Sequence, residues 1–540
     1  MRRRLPLRWL RDERGSVAVI FALAATSLVF AVGCALDFSR ATQLRARLQA
    51  VTDATALNMV RQAGSLTDTA LRTAVQNELN AALPNVTVTI DTLTVGSTRS
   101  DLQLVTTAQS SNAILSGFGV SATRVRGRSQ AAIGNDTFEI ALVVDNSSSM
   151  SSSAGGATKM QSAKDAANAL VDAMMTASST AATRTKFSIV PFTLVVNIGS
   201  SYANQSWMDT QARSSIHWQN FEQPPASWGT VTRFSLFPAM GVAWGGCVEM
   251  RPGTWGVTDD APNTSVGDSL FVPMAAPDEP GYAGAGSSTS SSNYTFTSGG
   301  TTTTWYYPNS YLDDNPSSCS ADITATSNYT RAQTKVCKYL NPPTINLSGG
   351  RGPNFSCTSQ ALSRMTNNTS ALHTSINAMV ANGNTNLLEG FMWGWRTISP
   401  NLPFQDGRAY GTANNRKIVV LLTDGMNMWA AQNNHNKSSY SDFGYYVNNR
   451  LGTTAVDAAS ARTLMDSKTL TACTNAKAAG VMVYTVGFSV SSDPIDAAGL
   501  DLLRNCATSN STAFVANNSS QIVSVFQEIA RNLGSLRLTN

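Results

Sequence analysis

Phe138-Glu139-Ile140-Ala141-Leu142-Val143-Val144 runs directly into Asp145-Asn146-Ser147-Ser148-Ser149-Met150. The apolar run from Ile140 to Val144 reads as a central parallel strand covered on both faces. At its C-terminal edge, where open α/β sheets place their ligands, stand one carboxylate and hydroxyls at alternate positions. In this D-x-S-x-S loop Asp145, Ser147 and Ser149 can converge, and hard cations such as Mg²⁺ take oxygen ligands in near-octahedral geometry with some waters retained. Three oxygens do not close such a site. Two later stretches fit the remainder: Gly383-Asn384-Thr385, which leads into an apolar helix, and Lys417-Ile418-Val419-Val420-Leu421-Leu422-Thr423-Asp424-Gly425. The second is another buried strand ending in a carboxylate, with glycine where a tight turn is needed.

Taken together, Asp145, Ser147, Ser149, Thr385 and Asp424 resemble the metal-ion-dependent adhesion site of von Willebrand factor A-type domains. The resemblance implies that the two serines and the threonine bind the ion, that the aspartates act largely through water, and that a partner's carboxylate completes the shell. It implies Mg²⁺, with Mn²⁺ or Ca²⁺ as alternatives, and a protein partner. Ser148 is a departure, because many relatives carry glycine there. A plain serine-rich loop is the competing reading, since Ser151 to Ser153 prolong the run.

The 540 residues allow two or three domains with ample core. Charged residues are only 14%, replaced by Ser, Thr and Asn, which suits an exported surface. Net charge is +5, but residues 1–14 hold six arginines against Asp12 and Glu13, leaving about +1 for everything after them. No nucleic-acid-binding body is indicated. Of seven cysteines, Cys34 lies in an apolar segment. Cys247, Cys319, Cys337, Cys357, Cys473 and Cys506 remain, without C-x-x-C or histidine at metal spacing, so an oxidising compartment with up to three disulfides is expected. Six allow about fifteen pairings; the preferred one joins Cys473 to Cys506, with the other four stapling a long insertion.

Residues 1–14 form a basic stub, and 15–36 are 22 residues without a charge, long enough as a helix to cross a bilayer with the basic flank cytoplasmic. Val32-Gly33-Cys34 loosely resembles a lipoprotein processing site, which would acylate Cys34. Arg14-Gly15-Ser16-Val17-Ala18-Val19-Ile20-Phe21 and Gly33-Cys34-Ala35-Leu36-Asp37-Phe38-Ser39-Arg40 resemble the N-terminal module of TadE/TadG-like proteins of Flp-type (Tad) pilus assembly. Pseudopilins cleaved after the glycine carry Glu where Ile20 stands, so processing at Gly15 is left open. The helix is expected to run on to Gly64 with Leu44, Leu48 and Val51 as one stripe, broken by Thr55 and Asn58. A second helix over 67–83 and strands over 86–95, 102–108 and 124–132 complete a small pilin-like α+β stalk, 37–135.

The A-type domain is expected over 136–533, with a tail at 534–540. Helix 159–176 and strand 186–192 come first, and a helix over 358–381 resumes the fold after an insertion, 200–357, far beyond normal loop length. Within the insertion 282–304 is almost all Gly, Ser, Thr and Asn and reads as flexible. Its Trp/Cys/Pro blocks, such as Trp244-Gly245-Gly246-Cys247, look like the insertion of TadG-like proteins. Asp278, Asp313 and Asp314 read as loop carboxylates, though they could cap the metal from within. Helix 455–479, strand 481–488, helix 500–506, strand 512–515 and helix 519–533 follow, and the alternation gives a doubly wound, Rossmann-like α/β sheet.

His217, His373 and His435 are scattered, and there is no G-x-S-x-G, Walker loop or H-E-x-x-H, so no catalytic set is expected. The combined reading is a single-pass bacterial inner-membrane protein, bulk periplasmic, that binds a partner through a metal within Tad/Flp-type pilus assembly or secretion. The alternatives are an envelope adhesin or scaffold unrelated to pili, and a minor pilin-like subunit.

Overall fold

The computed structural model describes residues 14–64, 66–97, 99, 101–132, 136–176, 184–281, 293–298, 300–314, 316, 319, 328–340, 342, 345–453, 457–533 and 537–538. The chain divides into two units, Asp136–Leu533 and the remainder.

The smaller unit is built on one helix, α1 (Arg14–Gln62). Its first half turns large apolar side chains outward: Ile20, Phe21 and Leu28 are 64–73% exposed. Among the described residues, this is the one helix long and apolar enough to cross a membrane. Beyond Asp37 the helix lies on a sheet and buries Ala41, Leu48, Ala56, Met59 and Val60. Thr55 was expected to break that stripe, yet it is buried, as is Thr52. A threonine can satisfy its hydroxyl from its own helix, and Thr52 Oγ1 does so on Leu48 O at 2.7 Å while meeting Thr106 Oγ1 across the interface. Helix α2 (Asp68–Ala82) is capped by the Thr67 hydroxyl. Strands β1 (Val88–Val95), β2 (Asp101–Ser111) and β3 (Ala122–Ala132) pair antiparallel, and Arg537–Leu538, expected as a tail, adds to β3.

The larger unit begins with β4 (Thr137–Asp145), α3 (Lys159–Thr176) and β5 (Thr185–Phe192). Within the insertion, β6 (Asn293–Ser298) and β7 (Thr301–Tyr306) form a hairpin. The fold resumes with β8 (Ser363–Thr366), α4 (Thr369–Asn377), α5 (Leu387–Ile398) and β9 (Asn415–Thr423). It ends with α6 (Ala458–Ala478), β10 (Met482–Phe488), α7 (Ala497–Cys506), β11 (Ala513–Ala516) and α8 (Ser519–Leu533). The sheet order is β11-β10-β9-β4-β5-β8, parallel except for β8.

The period of two along each central strand sends alternate residues to opposite cores. Ile140, Leu142 and Val144 meet α3, α4 and α8 on one face, while Ala141 and Val143 meet α5 and the insertion on the other. Helix α5 is buried along its whole length. It approaches closely because Gly394 and Gly390 lack side chains: a Cβ would fall 2.3 Å from Val143 Cγ2 and 2.5 Å from Phe192 Cγ.

Two expectations are corrected. The helix over 358–381 is shorter, because residues 363–366 pair with β5 as an edge strand and Asn368 caps a new start by accepting from Ala371 N. The stretch 282–304 is not uniformly loose. Its β-branched threonines pair across a hairpin, Thr295 with Thr304 and Thr297 with Thr302, which composition alone hid; residues 282–292 lie outside the described residues.

The insertion shares the core of α5, with Phe271 and Trp393 rings 5.1 Å apart. Several of its charges are buried in pairs. Glu249 receives Arg233, Arg450 and the Tyr440 hydroxyl, and Lys338 Nζ lies 2.5 Å from Asp278 Oδ2. Asp278 is therefore committed within the insertion, where it also accepts the Tyr311 and Leu312 amides. Disulfides join Cys247 to Cys357, Cys319 to Cys337 and Cys473 to Cys506; the last ties α6 to α7.

Candidate metal centre

Strands β4 and β9 are in register, Val144 beside Leu422, so Asp145 and the pair Thr423-Asp424 leave the sheet side by side at its C-terminal edge. Asp145 is fully buried. Its Oδ1 accepts the Ser147 amide at 2.7 Å and its Oδ2 the Thr423 hydroxyl at 2.6 Å. Ser147 Oγ lies 2.9 Å from Ser149 Oγ, and Ser149 donates to Asp424 Oδ1 at 2.8 Å. Four of the five expected residues thus form one hydrogen-bonded chain.

Thr385, 5% exposed, is brought beside the chain by its backbone. Ser148 N donates to Gly383 O at 2.8 Å and Gly383 N returns to Ser148 Oγ at 2.9 Å, while Met428 N donates to Thr385 O. Three loops are therefore laced together at the sheet edge. Ser148 has its own use here: its hydroxyl takes an amide that a glycine would leave unpartnered. Gly383 sits at φ +111°, a conformation that favours glycine. Among the described residues the Thr385 hydroxyl makes no hydrogen bond to the other four.

Sequence reasoning missed Lys159. Its ammonium is fully buried, 2.8 Å from Asp424 Oδ2 and 2.7 Å from Asp493 Oδ2. A signal was present: a lysine at the first position of a helix opposes the macrodipole and asks for a carboxylate partner. Burial pushes the Asp424 carboxyl up, opposed by the Lys159 hydrogen bond and charge. Burial, and then repulsion from Asp424, push Asp145 up to about 7. The two carboxylates crowd one small volume with only one of them paired to a cation.

Among the described residues no three His, Cys, Asp or Glu side chains gather as a metal site. Any cation here would lean on hydroxyls as well as on two carboxylates. That all-oxygen set is the kind that hard cations take, and Asp145, Ser147, Ser149 and Asp424, with Thr385 adjoining, could hold one. Beside it lies a cleft of about 520 Å³, whose lining includes Gly383, Asn384, Ser356, Thr358 and Gln432 and carries no charged residue. Histidines are engaged elsewhere: His217 Nδ1 with Asp209 at 2.8 Å, and His435 Nδ1 with the Tyr307 hydroxyl at 2.7 Å.

Fold and site together define an α/β protein with a buried oxygen cluster at its sheet edge, preceded by an apolar helix of membrane-spanning length. Residues 15–58 match the family described as "Putative Flp pilus-assembly TadE/G-like", which makes the N-terminal segment Flp-pilus-related. No curated protein matches the chain. Among solved structures, the pilus adhesin SpaC from Lactobacillus rhamnosus GG aligns at TM-score 0.32 and 9% identity, over 83% of this chain and 34% of that one. The chain thus spans about a third of the length of that adhesin. The vWF domain of the type V pili tip protein Mfa5 from Porphyromonas gingivalis aligns at 0.30 and 10%, over 74% and 95%. The PilB minor pilin from Streptococcus sanguinis aligns at 0.31 and 11%, over 83% and 79%.

Proposed function

We propose that this is a bacterial inner-membrane component of Tad/Flp-type pilus assembly or secretion, anchored by α1 with its N-terminus cytoplasmic and its bulk periplasmic. Its larger unit is a von Willebrand factor A-type domain that binds a protein partner through a divalent cation, Mg²⁺ in the first instance. The observation that carries the reading is the hydrogen-bonded chain from Asp145 through Ser147 and Ser149 to Asp424, laced to the loop of Thr385, in a protein whose residues 15–58 match a Flp pilus-assembly family.

Each residue has a task. The Ser147 and Ser149 hydroxyls present oxygens already aligned, and Asp145 is oriented by the Ser147 amide and Thr423. Lys159 holds one oxygen of Asp424 and leaves the other facing Ser149. A cation bound there supplies an open coordination position for a partner's carboxylate. The adjoining uncharged cleft offers amides and hydroxyls to the residues flanking that carboxylate. Nothing in this arrangement calls for turnover.

The test is made in the source organism. The gene is deleted, wild type or an Asp145→Ala/Asp424→Ala variant is restored at equal abundance, and surface pili are counted. Pili should return with wild type only. Unchanged pili in the deletion strain would refute the pilus role; full restoration by the variant would refute the need for the site.

A further inference from the structure

The loop between β2 and β3 is fastened to α1 where its apolar run ends. Asp37 directly follows that run, and its carboxylate accepts three amides from the loop, Ala113 N on Oδ1 and Ile114 N and Leu115 N on Oδ2, each at 2.9 Å. The loop is also closed on itself. Asn112 N donates to Ser121 O, Asn112 Nδ2 to Val120 O and Val120 N to Leu115 O, all at 3.0–3.1 Å, and Gly119 turns at φ +87°.

Gly33 lies beneath the tip. A Cβ there would stand 2.6 Å from Ile114 Cγ1, so only glycine lets the tip seat so closely. Gly33 is three residues inside the end of the apolar run, roughly 4–5 Å along a helix rising about 1.5 Å per residue. Ile114 is therefore level with the apolar helix surface, not beyond it. Yet Ile114 remains 37% exposed and Val120 49%, beside Val32 at 54% and Leu36 at 55% on the helix. Aliphatic side chains exposed on a rigid, internally bonded tip gain nothing in water and are stabilised at an acyl boundary. The hydrogen bonds to Asp37 also supply what such a depth requires, since backbone amides near lipid need partners from the protein itself. Exposed Arg40, one turn outward from Asp37, and exposed Arg124, near the start of β3, suit anionic headgroups.

We propose that the 113–120 tip is a second membrane contact, with Ile114 and Val120 seated at the headgroup–acyl boundary of an anionic bilayer and Asp37 fixing the tip there. This rests on the reading that α1 spans the membrane, and the test separates the two. The full chain carrying Cys34→Ala, which removes the free cysteine, is given Val120→Cys or Ser116→Cys on the tip, or Thr73→Cys on the exposed face of α2. Each is labelled with an environment-sensitive fluorophore and reconstituted into phosphatidylethanolamine/phosphatidylglycerol vesicles holding shallow nitroxide lipids. Quenching at the tip positions should exceed that at position 73 at least threefold, and Asp37→Ala should bring Val120→Cys down toward the position-73 level while the chain still resists carbonate extraction. Equal quenching at 120, 116 and 73 in carbonate-resistant chain overturns the tip contact alone. Unchanged quenching in Asp37→Ala overturns the role of Asp37, and extraction of the unsubstituted chain by carbonate overturns the anchor and the tip contact with it.

Discussion

Lys159→Met probes how the sheet-edge carboxylates are held. In the native protein the buried ammonium serves Asp424, itself fully buried at its side chain, and Asp493, whose side chain is 42% exposed. Methionine keeps most of the aliphatic packing and removes the charge, leaving Asp424 with the Ser149 hydroxyl beside Asp145. Breaking a buried pair from one side costs roughly 3–5 kcal/mol, because the remaining charge is uncompensated. The Asp493 contact adds under about 1 kcal/mol, since water screens it. For a cooperative unit of roughly 400 residues, these figures correspond to a fall in Tm of about 4–6 °C. Calorimetric melts in detergent with EDTA measure it, and two companions isolate the cause. Lys159→Met/Asp424→Asn should recover most of the loss, as a thermodynamic cycle on a coupled pair requires, and Mg²⁺ should raise the Tm of Lys159→Met more than that of wild type. A Lys159→Met protein melting within about 1 °C of wild type in EDTA, set against the several degrees expected, would refute the reasoning. So would a double variant no more stable than the single one.

Three further outcomes follow from the structure. Glu279 is buried, and its carboxyl is pushed up to about 7 by that burial. The folded state therefore holds a proton that the unfolded chain releases, so this group's contribution to stability is greatest at acid pH and falls as pH rises to about 7; Glu279→Gln should remove a fall on the order of 3 kcal/mol, and melts from pH 4 to 8 showing an unaltered slope relative to wild type would contradict this. Replacing both Cys247 and Cys357 by serine opens a crosslink spanning 110 residues and should cost about 4–5 kcal/mol, against about 3–4 kcal/mol for Cys473 and Cys506, which span 33; the opposite order in denaturant melts would count against the entropic account. Gly394→Ala drives a methyl into Val143 and should cost about 1–3 kcal/mol; a neutral melt would mean that α5 can move away from the sheet.

The central strands were legible because burial on both faces writes itself as an unbroken apolar run, and Ile140 to Val144 and Ile418 to Leu422 both lie where that signal put them. Asp145, Ser147, Ser149 and Asp424 were legible for a related reason: residues at the end of such a strand share an edge. Lys159 was not, because its partners lie 265 and 334 residues away and only the fold brings them together. The same holds for Glu249, whose partner Arg450 lies 201 residues away in a buried pairing that also takes Arg233. Edge strand β8 was hidden because Ser363–Thr366 carries no apolar alternation and gains its identity only from β5. Outside the β6–β7 hairpin the insertion shows little period of its own, since many of its backbone hydrogen bonds lie in turns and isolated bridges.

The oxygen cluster is proposed to hold a divalent cation. The direct measurement is calorimetric titration of Mg²⁺, and then Mn²⁺, into the EDTA-stripped full-length protein in detergent, alongside Asp145→Ala and Asp424→Ala proteins whose melts show them folded. Saturable binding by wild type that both substitutions abolish is the predicted result. Binding by Asp145→Ala equal to wild type, or no binding by either, would contradict the claim.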